Sequence, residues 1–138
     1  MTQGRDPAAD RDPAAPLRIG VLADDLIWAT RMTGLVAHTG AVPVRLRTAV
    51  LLAEALPELD ACVVDLTARA YDGTACLRAA RDAGVPAVAV GQHDEPSVRR
   101  AALDAGASYV WVYRALADNG ERMVTRWISG LRAREETR

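Results

Sequence analysis

Three aspartates stand where their carboxylates could do chemistry together. Asp24 and Asp25 follow an apolar run at 17–23, and Asp65 stands near the end of another at 61–66. Both runs are typical of buried strands, whose carboxyl ends meet at one edge of a parallel sheet. Carboxylates gathered there repel one another, and a hard divalent cation such as Mg²⁺ relieves that repulsion. An aspartate beside such a cation can also attack a phosphoryl group as a nucleophile.

Helix capping is the simpler interpretation of the same residues. Acidic side chains between a strand and a helix often accept hydrogen bonds from the first helical turn. The pair Asp24–Asp25 alone is weak evidence for a metal site. Asp65 stands at the end of a strand whose carboxyl end is expected to lie beside that of the first strand. The combination of all three aspartates is therefore more specific and favours a metal site.

The elements that must position these residues are five strands alternating with five helices. The strands are predicted at 17–23, 41–47, 61–66, 85–90 and 108–113. The helices are predicted at about 26–38, 49–56 and 74–83, then between Asp94 (a candidate N-cap) and Gly106, and from a capping-box-like Asp118 to Leu131.

The strands are apolar throughout, which indicates burial on both faces and therefore a parallel sheet with helices on both sides. Pro43 removes a hydrogen-bond donor from the second strand and places that strand at an edge. We therefore expect the α/β class: a three-layer, doubly wound, five-stranded parallel sheet of order 2-1-3-4-5, the flavodoxin-like arrangement.

Length and composition fit one domain with tails. The chain has 138 residues, of which 50% are hydrophobic. Residues 1–16 contain the unit RDPAA twice and have too few large apolar side chains to fold, so we expect a disordered tail. The domain is expected at 17–131, and 132–138 is expected to be a polar C-terminal tail.

Charge and cysteine content exclude several classes of function. All 17 basic residues are arginine, so every mechanism that needs a lysine is excluded, and the net charge of −1 argues against a generic nucleic-acid binder. Cys62 and Cys76 are expected to be small core residues in a reducing compartment. No run is apolar enough for a membrane span or a signal peptide, so we expect a cytoplasmic protein that does not bind membranes.

Three stretches carry a resemblance to a known family. LRIGVLADDL, ALPELDACVVDLTARAYDG and AGVPAVAVGQHDEPSVRRAALDAGASYVWV resemble the CheY-like receiver domain of bacterial response regulators over about 17–131. Receiver domains accept a phosphoryl group from a histidine kinase, with Mg²⁺ as cofactor. The resemblance implies that Asp65 is the phosphoacceptor. It also implies that Asp24, Asp25, Asp65 and the backbone carbonyl of Thr67 hold the metal.

The sequence departs from the family at two positions that surround the phosphoryl group. Gly91 stands where receivers usually carry Thr or Ser at the end of the fourth strand. The usual lysine at the end of the fifth strand is missing, and its counterpart is Val112, Tyr113 or Arg114. Arg114 could supply a positive charge to a phosphate as a bidentate fork.

The loop after Asp65 departs as well. It carries Ala70–Tyr71 where a Met-Pro type pair is usual. The departures bear on the electrostatic stabilisation of phosphorylation and on its transmission to the surface. They do not remove the nucleophile.

Large aromatic residues are candidates for a partner surface. In the family, helix 4, strand 5 and helix 5 form such a face, on which Tyr109, Trp111 and Trp127 are our interface candidates. The structural alternative places Trp111 and Trp127 in the core. Trp28 is expected on the core side of the first helix.

The sequence therefore predicts a stand-alone receiver-like protein of two-component signalling. We expect a degenerate receiver that acts by protein–protein interaction, either with a histidine kinase or other signalling protein, or with a second copy through the helix 4–strand 5–helix 5 face. The alternative is a Mg²⁺-dependent response regulator phosphorylated on Asp65, whose enzymatic activity would be self-phosphorylation and dephosphorylation at most. A small-molecule binder and a structural assembly subunit on the same fold are the other classes.

Overall fold

The computed structural model describes residues 15–136, so most of the expected N-terminal tail lies outside the described residues. One five-stranded parallel sheet forms the centre of this part of the chain, in the order β2-β1-β3-β4-β5. The strands are β1 (Arg18–Leu22), β2 (Val42–Leu46), β3 (Ala61–Asp65), β4 (Ala87–Gly91) and β5 (Tyr109–Val112). The predicted α/β class and strand order are confirmed, including the Pro43 strand at an edge.

Five helices connect and cover the strands. They are α1 (Leu26–His38), α2 (Ala49–Ala55), α3 (Gly73–Asp82), α4 (Pro96–Asp104) and α5 (Tyr113–Glu136), with a 3₁₀ turn at Leu56–Glu58 after α2. Side chains of Asp25, Thr48 and Asp72 cap the first three helices by accepting a hydrogen bond from the first turn. None of the helices between residues 15 and 136 is long and apolar enough to cross a bilayer.

The predicted N-cap of the fourth helix was wrong. The residue at the N-cap of α4 is Glu95 rather than Asp94, whose carboxylate instead accepts from Arg99 at 3.0 Å. The span Tyr113–Glu136 contains two helical segments separated by non-helical Asn119 (φ −136°, ψ 23°), and the second begins near the predicted start at Asp118. The segment before Asn119 was not predicted. The second segment extends to Glu136, so the first part of the expected polar tail is helical.

Each face of the sheet supports its own apolar layer. One layer packs α1 and α5 against the sheet, with Ile19, Val36 and Val124 fully enclosed. The other packs α2, α3 and α4 against the opposite face and includes Cys62 and Cys76, both free thiols. Burial raises the pKa of Cys62 to about 12, which keeps it an unreactive thiol.

Two of the three interface candidates are core residues. Trp111 is 9% exposed and Trp127 5%, and their rings meet edge to face with centroids 5.6 Å apart. Of the three, Tyr109 alone is on the surface, at 53% exposure. The expected partner face therefore cannot use the two indoles as contact residues without opening the core, whereas Tyr109 stays a candidate.

This difference in burial predicts that truncation destabilises the protein strongly at Trp127 and weakly at Tyr109. Trp127→Ala should lower the free energy of unfolding by about 3–5 kcal/mol, because it removes a large buried ring and its partner contact. Tyr109→Ala should change it by about 0.5 kcal/mol or less, as expected for a surface site. Urea denaturation followed by circular dichroism measures both, and equal losses would contradict the assignment of Trp127 to the core.

Candidate functional site

Asp65 closes β3 at the carboxyl edge of the sheet. Its side chain is 3% exposed, and Asp65 is the one buried charged residue among those described. The Oδ1 atom accepts hydrogen bonds from the Thr67 amide at 2.9 Å and from the Thr67 hydroxyl at 2.7 Å. The Oδ2 atom is fully buried and has no hydrogen-bond partner in the structure. A buried carboxylate oxygen in this state is costly unless something else satisfies it.

Asp24 holds the loop that follows β3. Its Oδ2 atom accepts from the backbone amides of Arg69 at 2.9 Å and Ala70 at 3.1 Å. The residue is half-buried at the end of β1. The carboxylate therefore ties the β3–α3 loop to the neighbouring strand through main-chain groups.

Asp25 is the N-cap of α1. Its Oδ1 atom accepts from the Trp28 amide at 3.1 Å, and the residue is exposed. For this residue the capping interpretation describes the structure.

The predicted magnesium ligands meet at one edge but do not form a metal site as they are arranged. No group of three His, Cys, Asp or Glu side chains in the described part of the chain is placed to hold a metal ion. Each of the carboxylates of Asp24, Asp25 and Asp65 has an oxygen engaged by protein donors. Mg²⁺ prefers near-octahedral oxygen coordination and keeps several of its waters, and the described carboxylates are not gathered into a preformed cluster for it.

Tyr71 joins the ends of β1 and β3 from the loop side. Its hydroxyl lies 2.7 Å from the Asp65 carbonyl oxygen and 2.9 Å from the Leu22 carbonyl oxygen, and its single proton is shared between them. Burial, followed by the negative charges of Asp65 and Asp24, raises the pKa of Tyr71 well above its usual value. The phenol therefore stays a donor across the physiological range.

Tyr113, one of the three candidates at the end of β5, lies beside Asp65. It is buried, at 8% exposure, and lines the same pocket as Asp65. Arg114, which we considered as a source of positive charge, is exposed and does not line that pocket. Burial, and then a hydrogen-bond interaction with the Asp65 carboxylate and its negative charge, raise the pKa of Tyr113. The end of β5 thus presents a neutral phenol.

Trp28 and Tyr113 close the pocket together. Their rings stack with centroids 3.6 Å apart and planes inclined by 28°, and the Arg31 guanidinium lies 5.4 Å from the Trp28 ring centroid. The cavity behind them has a volume of about 10 Å³, which is room for about one water molecule. It is lined by Val21, Leu22, Ala23, Trp28, Met32, Val63, Asp65, Val90 and Tyr113. Asp65 is the sole charged side chain in that lining.

Gly91 ends β4 beside this pocket. It is buried and pairs with Val112 of β5. A Cβ atom added to Gly91 would find its nearest atom, the His93 carbonyl oxygen, 3.8 Å away, which is ordinary van der Waals contact. Space therefore does not explain the absence of a hydroxyl-bearing side chain here.

Sequence reasoning placed Asp65 and missed the aromatic residues around it. Trp28 packs against the core as expected, and the half-buried ring also lines the pocket beside Asp65, which was not predicted. The Ala70–Tyr71 pair was noted as a departure without a role. The sequence signal for this role was the position of Trp28 in the first turn of the helix after Asp25, because that turn begins beside the carboxyl ends of the strands.

No protein-family model matches the chain, and no curated protein matches it. The fold does match solved structures. A CheY-like receiver domain from Methanospirillum hungatei superposes with a TM-score of 0.66 at 16% identity, over 84% of this chain and 99% of that one. A response regulator from Chloroflexus aurantiacus, described as putative, gives 0.75 at 15% identity, over 86% and 99%.

A third structure is the receiver domain of a sensor histidine kinase from Pseudomonas aeruginosa, with magnesium coordinated in its active-site cleft. It gives a TM-score of 0.70 at 19% identity, over 83% of this chain and 99% of that one. The chain has the receiver-domain fold. At these identities the likeness establishes the fold, and the receiver fold places Asp65 at the end of its third strand.

The raised pKa values predict how the tyrosines respond to alkali. In the folded protein Tyr71 and Tyr113 should keep their protons in a pH range where unfolded tyrosines lose theirs, so stability should fall as pH rises above about 10. Ultraviolet titration of tyrosinate measures this. The variants Tyr71→Phe and Tyr113→Phe should leave the tyrosinate signal of the folded protein at about pH 11 unchanged. A reduced signal in either variant would show that the wild-type phenol ionises in the folded state.

Proposed function

We propose that this protein is a degenerate receiver of a two-component-type signalling system, which acts by binding another protein and does not use Asp65 as an efficient phosphoacceptor. The observation that carries the proposal is the side chain beside Asp65. A neutral, buried Tyr113 stands there, stacked on Trp28, in place of a cation. The receiver fold of the chain supports the signalling context.

Phosphoryl transfer to Asp65 would need an open path and positive charge. The incoming group must approach the attacking oxygen in line, and its developing charge must be stabilised. The Oδ1 atom is engaged by Thr67, and Asp65 lines a cavity whose other walls are apolar and aromatic. A tetrahedral phosphoryl group could form there only after Trp28 or Tyr113 had moved.

The electrostatics at the carboxyl ends of the strands also disfavour phosphoryl transfer to Asp65. Asp24, Asp25 and Asp65 bring three carboxylates to the strand ends, and the pocket lining contains no cationic side chain. The Arg31 guanidinium lies against Trp28 rather than in the Asp65 pocket. A dianionic phosphoryl group would therefore meet repulsion without compensation.

A surface for a partner exists on the β5 side of the sheet. Tyr109 is 53% exposed on β5, and Val98 and Leu103 are 37% and 42% exposed on α4, which packs beside β5. Exposed apolar side chains of this kind favour protein contacts. We propose this face for a signalling partner, such as a histidine kinase, or for a second copy.

The phosphorylation test uses intact mass after incubation with Mg²⁺ and acetyl phosphate. We expect no phosphoryl adduct on the wild-type protein. The double variant Gly91→Thr/Tyr113→Lys should gain an adduct, because it supplies the hydroxyl and the ammonium that receivers carry and Gly91 has room for a side chain. The same double variant with Asp65→Asn is the control and should gain none.

The runner-up function has its own outcome in this experiment. Asp65 ends β3 and its Oδ2 atom is not engaged by a protein donor, which keeps the nucleophile intact. A wild-type adduct that requires both Mg²⁺ and Asp65 would overturn the degenerate-receiver proposal. It would establish a phosphoryl-accepting response regulator instead.

Metal binding gives a separate prediction. An ion that binds the folded state at ten times its Kd adds about 1.4 kcal/mol of stability, which would raise the melting temperature by several degrees in a domain of this size. Because the carboxylates are engaged as described, we expect no rise with Mg²⁺ beyond that given by an equal ionic strength of NaCl. A Mg²⁺-specific rise that disappears in Asp24→Asn and Asp65→Asn would contradict this.

A further inference from the structure

We propose that the outward face of α2 is a self-association surface, on which α2 of a second copy of this protein packs in antiparallel orientation about a twofold axis. The large apolar side chains that are exposed lie in two groups on opposite sides of the sheet. One group lies beside β5. On the side of β1 and β2 the exposed side chains are Leu26, Ile27, Val42, Val50 and Leu51. The proposal does not depend on the state of Asp65.

Helix α2 is apolar on its outward face as well as on its inward face. Its seven residues read AVLLAEA, in which Glu54 is the one polar side chain. Leu52 is the residue of α2 that is buried, at 1% exposure, whereas Val50 is 66% and Leu51 44% exposed. A helix that is apolar all round is ordinarily covered on all sides. The monomer covers one side of α2, so the composition of the helix indicates a second packing partner.

Charged side chains flank the apolar centre of this outward face. A stripe with the spacing i, i+3, i+4, i+7 begins at Arg47 and ends at Glu54. Between them it contains Val50 and Leu51, and all four residues are exposed. Arg47 immediately precedes the N-cap Thr48, and Glu54 lies in the last turn. The face therefore has a positive end, an apolar centre and a negative end.

The monomer does not explain the placement of these two charges. A positive charge ahead of a helix and a negative charge in its last turn both oppose the helix dipole. In the part of the chain that the structure describes, neither Arg47 nor Glu54 forms an ion pair. Their positions therefore point to compensating charges on another molecule.

An antiparallel pair of α2 helices satisfies each part of this face. About a twofold axis the N-terminal end of one helix lies beside the C-terminal end of the other, so Arg47 of each copy faces Glu54 of the other copy. Val50 and Leu51 lie midway between the two charges, so they meet their own counterparts at the axis. A face with this order of groups is complementary to itself, which favours a second copy over an unrelated protein. The β5 side is then left for a signalling partner.

The start of α1 enlarges the surface. Each partner in a standard interface buries about 800 Å², which is more than one face of a seven-residue helix offers. Leu22 pairs with Leu46 in the sheet, so the chain leaves β1 and β2 from neighbouring strand ends. Leu26 and Ile27, which are 69% and 68% exposed, follow the first of these ends. We expect an interface below standard size, with a Kd of about 10–100 μM.

Sedimentation equilibrium of the full chain, over a concentration series that spans this Kd, tests the proposal. We expect the average mass to rise with concentration from 14.8 kDa toward twice that value. Leu51→Glu should weaken association about a hundred-fold or more, because it buries two unpaired like charges against each other. Leu103→Glu is the matched control, since Leu103 is 42% exposed on α4 where Leu51 is 44% exposed on α2, and it should associate as the wild type does.

Charge reversal tests the antiparallel arrangement. Arg47→Glu and Glu54→Arg each replace two attractive pairs by two repulsive ones, so each should weaken association about ten-fold or more. The double variant Arg47→Glu/Glu54→Arg rebuilds both pairs in reversed order and should recover association to within about three-fold of the wild type. Recovery requires that the two residues meet across copies, which an effect on the fold of α2 alone does not produce.

Three outcomes overturn the proposal. The first is a wild-type chain that sediments at 14.8 kDa throughout the series. The second is association that Leu103→Glu abolishes and Leu51→Glu leaves unchanged, which places the second copy on the β5 side. The third is a double charge reversal that does not recover association. If circular dichroism shows that Leu51→Glu has lost its fold, the charge-reversal series decides.

Discussion

The carboxylate of Asp65, held out of water at the end of the central strand, is the constraint around which the site is built. Its Oδ1 atom is satisfied by Thr67 two residues later, so the chain must turn sharply after β3. Its main-chain carbonyl is met by the Tyr71 hydroxyl from the same loop. The charge is thus stabilised locally on one side, and the other oxygen is buried without a hydrogen-bond partner. The groups that pack beside this oxygen therefore determine how well the Asp65 charge is stabilised at the carboxyl end of β3.

Asp24 and Asp25 show how a carboxylate cluster can be built and yet serve the backbone. Asp24 binds two amides of the β3–α3 loop, and Asp25 caps α1. Both uses fix loops through main-chain groups, which are rigid donors. Carboxylates can therefore gather at the end of a sheet for structural reasons, without a cation, if backbone N–H groups donate hydrogen bonds to each of them. Asp65 is the member for which that supply is incomplete.

Much of this arrangement followed from the sequence, because apolar strands separated by capped helices admit few topologies. The strand order and the position of Asp65 at a strand end depend on that pattern alone. The residue beside Asp65 could not be predicted in the same way. An uncertainty of one residue at the end of β5 decides between a charged Arg114 and a neutral Tyr113. Likewise the burial of Trp111 depends on which face of an edge strand a helix covers. Local pattern does not encode the placement of that helix.

The Trp28–Tyr113 stack links the site to two helices at once. Trp28 belongs to the first turn of α1 and Tyr113 is the first residue of α5, while the β3–α3 loop is tied to the same edge by Asp24. A ligand can shift a conformational equilibrium only through contacts that differ between the two states. At this edge of the sheet the groups placed to make such contacts are the Trp28 and Tyr113 rings and the Asp65 carboxylate. Under the proposed function, a change at Asp65 would reach the surface through the packing of α1 against α5, because Gly91 carries no hydroxyl and the chain has no lysine.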